Sequence, residues 1–474
     1  MINQAKAYKV VIVGAGPGGA ILARQLAAQG ILVELYEKGS YEQLGHNWSD
    51  AVEFDALKAT GLKMPCLEGI EWVGELVKDN IDAPGIFEKH AVPILQLHSP
   101  GLKSHKNVRF KMITTDRRRL GKLLVDQAVA AGAHIYYGYE GKRLLFRETG
   151  KSGPAGVEIS GVLVKDRESG LEKPIEADLI VESSGFQSVL RSSLPLSTGI
   201  ADCFMNGDYA LVHREVRKYE PVLNGDYAMP DYYRYGFHTG YQWSHIHNEK
   251  SIDIGAGVKN DPDNPDPADL VEDFISRHPA VKTEKLRGGR SLCIVGRPLC
   301  SLVSNGFLVI GDAASMSVPT TGCGVGSALL TALWAADTIA EAAKVRRNDL
   351  EILWMINTKF FRQSKRGASF AALSSLREIL QTLNHDELDY LFVRNLLDAK
   401  TLQNAVNGEF DPPGLTKKIE SFLAGIANLN LLLKLNAAVS TATRVYKHYL
   451  NYPQRWDEHK YQCWKETADQ LGVN

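Results

Sequence analysis

The sequence lacks the features that mark a nucleic-acid-binding, secreted or membrane-spanning protein. Its 474 residues carry a formal net charge of -1, so no global electrostatic field attracts nucleic acid or an anionic membrane. The N-terminal stretch MINQAKAYKV has no basic segment followed by an apolar one, and we expect no signal peptide. No uninterrupted apolar run reaches the roughly eighteen residues that would predict a transmembrane helix.

Cysteine is sparse and follows no metal-binding or redox pattern. The six cysteines are spread along the chain and none forms a CxxC pair, which argues against zinc ribbons and thioredoxin-like motifs. Such spacing is typical of reduced thiols, so we expect a cytoplasmic protein. Glycine, in contrast, is frequent at 42 residues, and much of it lies in two blocks near residues 14 and 322.

The first glycine block has the context of a dinucleotide-binding turn. Gly14, Gly16 and Gly19 form GxGxxG between an apolar strand and a helix, and Glu37 ends the next strand. Gly14 permits the tight turn, Gly16 lets the backbone approach a pyrophosphate, and the helix N-terminus attracts its charge. Glu37 is placed to accept hydrogen bonds from a ribose. The residues expected here at the cofactor are Gly14, Ala15, Gly16, Pro17, Gly18, Gly19, Ala20, Glu37 and Lys38.

The second glycine block favours FAD over NAD. A strand in GFLVIGDAAS ends at Asp312, whose carboxylate can bind a ribitol hydroxyl. Pro319 and a glycine-rich run then enter a helix, and backbone N–H groups there can face an anionic ring edge. The residues expected at this part of the cofactor are Gly311, Asp312, Gly322, Cys323, Gly324 and Val325.

The order of elements predicts an α/β protein with a Rossmann-like FAD-binding domain of the glutathione-reductase type. We expect this domain to be discontinuous, with residues 1–60, 100–200 and 286–345. An inserted antiparallel-sheet substrate domain is predicted from residues 61–99 and 201–285, because the latter alternate polar and aromatic residues. Residues 346–474 have mostly helical spacing and form the predicted helical C-terminal domain.

These motifs resemble those of flavoprotein monooxygenases, flavin halogenases and geranylgeranyl reductases. The resemblance is sharpest to the geranylgeranyl reductases, through SDAVEFDALKATGLKMP, ALVHREV, GYQWSHIHNEKSIDIGAGV, VNGEFDPPGLTKKI and HYLNYPQ. It implies an FAD-dependent enzyme that reduces or forms a C=C bond of an isoprenoid, lipid or other hydrophobic molecule, with hydride transfer at flavin N5. It also implies that further residues contact the cofactor, namely Asp50, Ala51, Arg117, Gly141 and Gly185.

The chain departs from the reductase pattern at three places. Trp48 stands where many members have Cys, His245 stands where they have Phe, and Thr321 and Cys323 are substituted in the glycine loop. These places correspond to the cofactor face and the substrate tunnel, so the catalytic residues stay unknown. The pocket candidates are Trp48, Tyr241, Trp243, His245 and Cys323.

Several alternatives stay open at this stage. Tyr241, Trp243 and His245 share one strand face, as tunnel lining or as sheet core, and His245 with His247 has the spacing of a metal pair but no third ligand. Arg214 and Glu215, in HREV, could form an ordinary strand ion pair. The sequence has no WxWxIP motif, which disfavours halogenation.

Two other functions compete with the reductase. One is an FAD monooxygenase that hydroxylates a hydrophobic small molecule, and the other is a flavin-binding protein without turnover. No second complete Rossmann unit is evident, so NADPH bound transiently, a ferredoxin or a separate reductase would supply electrons. The apolar run IESFLAGIANLNLLLKLNAAV could close the pocket, form a dimer or contact a membrane surface peripherally, and packing on its own protein is the commonest outcome.

Overall fold

The computed structural model describes most of the chain. Its described residues are 7–62, 94–109, 112–150, 156–195, 198, 200, 204–220, 232–235, 239–248, 250–413 and 428–472. Parts of the predicted sheet-rich and C-terminal domains, residues 63–93 and 414–427, lie outside them, as does the side chain of His247.

Eighteen strands are found among the described residues. In chain order, β1 to β9 are Lys9–Val13, Leu32–Glu37, Ser49–Glu53, Ile94–His98, His105–Arg109, Met112–Asp116, His134–Tyr137, Tyr139–Glu148 and Val157–Asp166. Strands β10 to β18 are Glu172–Glu176, Leu179–Glu182, Tyr209–Tyr219, Tyr232–Tyr235, Gly240–Asn248, Ser251–Lys259, Val281–Ile294, Val303–Ser304 and Phe307–Val309.

The described residues form eleven α-helices. Helices α1 to α6 are Pro17–Ala27, Phe54–Ala59, Arg117–Ala130, Pro267–Arg277, Val325–Val345 and Leu350–Thr358. Helices α7 to α11 are Arg366–Leu380, His385–Val393, Ala399–Val406, Leu429–Leu450 and Glu458–Gly472. None of these helices has the length and apolar character needed to cross a bilayer.

A six-stranded sheet carries both glycine blocks. Its strand order is β17-β18-β11-β1-β2-β7, and every neighbouring pair is parallel except β17 with β18. Strand β1 is an almost fully buried run of β-branched residues, as expected for a strand covered on both faces. Helix α1 packs against α3 and α5. The predicted Rossmann-like fold is therefore confirmed.

A seven-stranded sheet forms the second layer that matters for function. Its order is β16-β12-β15-β14-β13-β4-β5, and all pairs are antiparallel except β13 with β4. The even residues of β15, such as Ile254 and Val258, pack in a core with α4, so its odd residues, such as Asp253 and Lys259, occupy the other face. This alternation decides which side chains reach the cavity described below.

The remaining elements connect these layers. Strands β8, β9 and β10 form an antiparallel sheet, and β3 pairs with β6. In the C-terminal part α7 packs along α10. The division into domains stays a prediction. Two of the predicted boundaries fall inside the seven-stranded sheet: the one at residue 285 cuts β16, which continues through residue 294, and the one at residue 99 separates β4 from β5, which ends at residue 109.

Candidate active site

A cavity of about 620 Å³ lies where the parallel strands end and the seven-stranded sheet begins. Ligands of open α/β sheets bind at the carboxyl ends of the parallel strands, and the turns after β1, β2, β11 and β18 all line this cavity. The structure brings most predicted cofactor residues to its wall: Gly14, Ala15, Gly16, Pro17, Gly18, Glu37, Lys38, Asp50, Ala51, Arg117, Gly185, Gly311, Asp312, Gly322, Cys323, Gly324 and Val325.

Three of the predicted cofactor residues do not line the cavity. Gly19 and Ala20 are buried inside α1, and Gly141 packs on β1, where an added Cβ would lie 2.8 Å from Val13 Cγ1. Gly19 and Gly141 therefore allow close packing behind the cavity wall instead of facing a ligand.

The first glycine loop has the shape that a pyrophosphate requires. Gly14 has φ +103°, and a Cβ there would lie 2.2 Å from the Ser183 carbonyl oxygen. A Cβ on Gly19 would lie 2.0 Å from the Gly14 carbonyl oxygen, so helix and loop touch backbone to backbone. A Cβ on Gly16, in contrast, would meet nothing within 4 Å and would project beside the cavity. The open space at Gly16, at the N-terminus of α1, suits an approaching phosphate.

Glu37 ties the end of β2 to this loop. Its Oε2 accepts a hydrogen bond of 2.8 Å from the Ala15 backbone N–H, and its Oε1 accepts one of 2.8 Å from the Gly39 N–H. The carboxylate is thus fixed at the cavity wall, where it can also accept from a ribose hydroxyl.

The second glycine block places a carboxyl group beside a helix N-terminus. Ser317 Oγ donates to Asp312 Oδ1 at 3.0 Å, and a Cβ on Gly324 would lie 2.7 Å from that same oxygen. Burial raises the pKa of Asp312. Helix α5 starts at Val325 with no acidic residue in its first turn, so its N–H groups and partial positive charge are open to an anionic group. Both blocks therefore fit FAD.

A partly buried charge network connects the cofactor strands with the seven-stranded sheet. Asp50 lies between Arg117, whose Nη1 is 2.9 Å from Oδ2, and Arg214, whose Nη1 is 3.2 Å from Oδ1. Arg214 Nε also donates to both oxygens of Asp253, at 2.9 and 2.8 Å. Trp243 Nε1 donates to Asp253 Oδ1 at 2.9 Å. The network fixes a cation and an indole on the cavity wall.

The interpretation of HREV as a neighbouring ion pair is wrong. Consecutive strand residues point to opposite faces, so Arg214 reaches the cavity while Glu215 pairs with Arg217 and Lys285 on the other side. No sequence signal identifies Arg214 as a site residue, because its partners Asp50 and Asp253 are 164 and 39 residues away.

All five pocket candidates line the cavity. Trp48 stacks on His46 with ring centroids 4.3 Å apart, and Gly289 leaves room for its outer edge. Burial and the nearby cation Arg117 lower the pKa of His46 to about 4, so the imidazole is neutral near pH 7. Trp48 and His46 together present a flat uncharged surface.

The strand β14 contributes the other aromatic side chains. The Tyr241 hydroxyl donates to the Thr321 carbonyl oxygen and so ties the sheet to the second glycine block. Trp243 lies flat on β15, because a Cβ on Gly255 would be only 2.0 Å from its ring. His245 lines the cavity on the same face, and no group of three or more metal-ligating residues occurs in the described part of the chain.

Two cysteines lie at the second glycine block, and only one was a sequence candidate. Burial raises the pKa of Cys323 to about 12, and Cys293 Sγ donates to the Gly322 carbonyl oxygen at 3.1 Å. Burial also raises the pKa of Cys293. Both groups therefore stay protonated thiols near neutral pH.

Beyond the glycine blocks the cavity wall becomes apolar. Strand β4 and the helices α7, α8 and α9 supply it. Its main residues are Leu95, Leu97, Leu376, Leu380, Phe392 and Leu402. We call this region the apolar chamber.

The chain belongs to the family described as FAD binding domain, whose model matches residues 7–350. The predicted resemblance is confirmed, and the protein is an FAD-dependent oxidoreductase. A digeranylgeranylglycerophospholipid reductase of Sulfolobus acidocaldarius is 23% identical over 452 residues, covering 94% of both chains. A protein of the same name from Methanospirillum hungatei is 26% identical, covering 89% of this chain and 98% of its own.

Solved structures show the same fold. A geranylgeranyl bacteriochlorophyll reductase-like protein of Thermoplasma acidophilum has a TM-score of 0.68 at 17% identity, covering 91% of this chain and 99% of its own. A flavin-dependent brominase has a TM-score of 0.59 at 15% identity, covering 90% and 99%. The scaffold is thus shared by proteins with different named activities, and the choice between activities depends on the site.

Proposed function

We propose that the protein reduces a C=C bond in an isoprenoid or similarly hydrophobic substrate. The observation that carries this proposal is the continuity of the cavity from the two glycine blocks into the apolar chamber. An apolar chain in the chamber would place one segment beside the cofactor loop. The names of the curated relatives, which are reductases of geranylgeranyl lipids, support the same reaction.

The cofactor would supply a hydride from reduced flavin N5. Gly14, Gly16 and the N-terminus of α1 would hold its pyrophosphate, Glu37 its ribose, and Asp312 its ribitol chain. We also propose that the other predicted cofactor residues that line the cavity contact FAD, and that the chain is divided into the three predicted domains.

The chain's own side chains would position the substrate and keep water out. The network around Asp253 holds the indole of Trp243 against the cavity wall. The chamber leucines supply an apolar surface that favours a hydrocarbon over water. The partly buried thiol of Cys323, with its pKa raised to about 12, keeps a proton on Sγ at the edge of the glycine loop.

The electron donor and the location belong to the same proposal. NADPH, a ferredoxin or a separate flavin reductase would reduce the flavin. We propose a cytoplasmic protein that contacts a membrane surface when it collects a lipid substrate.

The test is an anaerobic half-reaction of the holoenzyme. The flavin is reduced with dithionite and mixed with geranylgeraniol or geranylgeranyl phosphate, and its absorbance is followed. We expect reoxidation by these olefins without O₂ and no reoxidation by the saturated analogue phytanol. Reoxidation that requires O₂ and puts an oxygen atom into the product would show hydroxylation instead. Reoxidation by phytanol at the same rate would show that olefin chemistry is not involved.

A further inference from the structure

The cavity has a cationic end that the proposed cofactor contacts do not use. Lys259, at the end of β15, lies on the cavity face of the sheet together with Asp253 and lines the cavity. Its ammonium group makes no ion pair with any residue of the described part of the chain. The Glu378 carboxyl group lies within its electrostatic reach but does not line the cavity. A cation on the cavity wall favours an anionic ligand there.

A second cation converges on the same place from another element. Arg377, on α7, is only 5% exposed and also lines the cavity. Its Nη2 is 3.5 Å from the Gly207 carbonyl oxygen, and a Cβ on Gly207 would lie 3.2 Å from Lys259 Cε. Both cationic side chains therefore lie next to Gly207. Nearby, Gln381 Nε2 donates to the Thr239 carbonyl oxygen at 3.2 Å and joins α7 to the start of β14.

The carboxyl groups near this cluster do not line the cavity. Glu378 is 3.9 Å from Arg377 Nη2, and burial raises its pKa. Asp208 accepts a hydrogen bond from the Met205 N–H. Because neither carboxyl group is part of the cavity wall, the charge presented to a ligand there is positive.

The cationic end adjoins the apolar chamber on the same helix. Leu376 and Leu380 line the chamber. Each is followed in the chain by a polar residue of the cationic end, Arg377 or Gln381. A ligand that satisfies both surfaces has a hydrocarbon chain and an oxyanion at one end. Arginine and lysine are the residues that bind phosphate oxygens in proteins.

We propose that Lys259 and Arg377 form a subsite for the oxyanionic head group, of the phosphate class, of an amphiphilic substrate. This inference rests on the proposed function, since it takes the chamber to hold the hydrocarbon chain. The head group, held at one end, sets which double bond of the chain lies beside the cofactor loop.

The test measures binding to the oxidised holoenzyme, where no turnover occurs. Farnesyl phosphate and farnesol are compared by equilibrium dialysis on the wild type and on Lys259→Gln, Arg377→Gln and Lys259→Arg. We expect each glutamine variant to weaken farnesyl phosphate binding about tenfold, as for loss of one charged hydrogen bond. Farnesol binding is expected to stay within about twofold, and Lys259→Arg to retain phosphate binding. Lys282→Gln, on the same sheet but outside the cavity wall, is the matched control.

The outcomes separate the subsite from the proposed function. Equal weakening of farnesyl phosphate and farnesol, or no weakening of either, would overturn the subsite while leaving an isoprenoid substrate in place. If neither compound binds the wild type, both the subsite and the isoprenoid substrate are wrong. Weaker binding of NADPH to the glutamine variants in the same dialysis, with farnesyl phosphate binding unchanged, would assign the cations to the electron donor and also overturn the proposal.

Discussion

Asp253 joins Arg214 and Trp243 on the cavity wall, so its replacement tests whether this network stabilises the protein. Its side chain is fully buried, and it accepts hydrogen bonds from Arg214 Nε and Trp243 Nε1 at 2.8 to 2.9 Å. Asp253→Ala would remove the principal counter-charge of Arg214 and leave the indole N–H without its acceptor. Breaking a buried ion pair by deleting one partner costs about 3–5 kcal/mol. We expect the free energy of unfolding to fall by that amount.

The conservative variant divides this effect into its charge and hydrogen-bonding parts. Asp253→Asn keeps the volume and an oxygen that can accept from Trp243, but it removes the negative charge. We therefore expect a smaller loss, about 1–3 kcal/mol, comparable to one unsatisfied or weakened buried polar contact. The matched control is Glu272→Gln, whose carboxylate pairs with Arg217 while 64% exposed, and which we expect to change stability by less than about 1 kcal/mol.

Urea unfolding followed by tryptophan fluorescence measures these differences, and the bound flavin absorbance reports whether the cavity survives. The fall should be largest for Asp253→Ala, intermediate for Asp253→Asn and smallest for Glu272→Gln. If Asp253→Ala changes the unfolding free energy by less than about 1 kcal/mol, Arg214 is satisfied by Asp50 alone. In that event Asp253 does not hold the cavity wall together.

Three further predictions address the cofactor loop, the aromatic wall and the thiols. Gly16→Val should abolish FAD retention, because its side chain would fill the space where nothing lies within 4 Å of an added Cβ; purified protein that stays yellow at wild-type stoichiometry would contradict this. Trp48→Ala should keep FAD but change turnover or substrate range, and unchanged activity across substrates would remove Trp48 from the site. Cys323, with its pKa raised to about 12, should react slowly with iodoacetamide below about pH 9, while the exposed Cys463 reacts readily. Labelling of the two thiols at equal rates, measured by mass spectrometry, would refute the raised pKa.

The cofactor-binding part of the fold could be predicted because its signals are local. Gly14, Gly16 and Gly19 lie within six positions. Gly14 and Gly19 meet steric demands of one strand–turn–helix unit, and Gly16 leaves open space at the helix N-terminus. Glu37 follows at the end of the next parallel strand, which pairs with β1. Asp312 could be predicted for the same reason, since it lies in the turn between the end of β18 and the start of α5.

The substrate part of the cavity could not be predicted where it depends on which face of a strand is buried and on contacts between residues far apart in the sequence. The alternation of Tyr241, Trp243 and His245 predicted a shared face, but it could not tell tunnel lining from core. Arg214 was misinterpreted, because its sequence neighbour is a carboxylate on the opposite face of the strand. The parallel pairing of β13 with β4 also escaped, since it joins segments more than a hundred residues apart.

The sequence by itself determined the family, the cofactor and the position of its loops, because these depend on short-range sterics and on buried strands. Only the tertiary structure decided what faces the cofactor. It brought Asp50, Arg214 and Asp253 into one network and Lys259 beside Arg377, and it closed the chamber with C-terminal helices. These contacts join residues from separate sheets and helices, and their distances are fixed by packing between layers, which no local pattern of residues specifies.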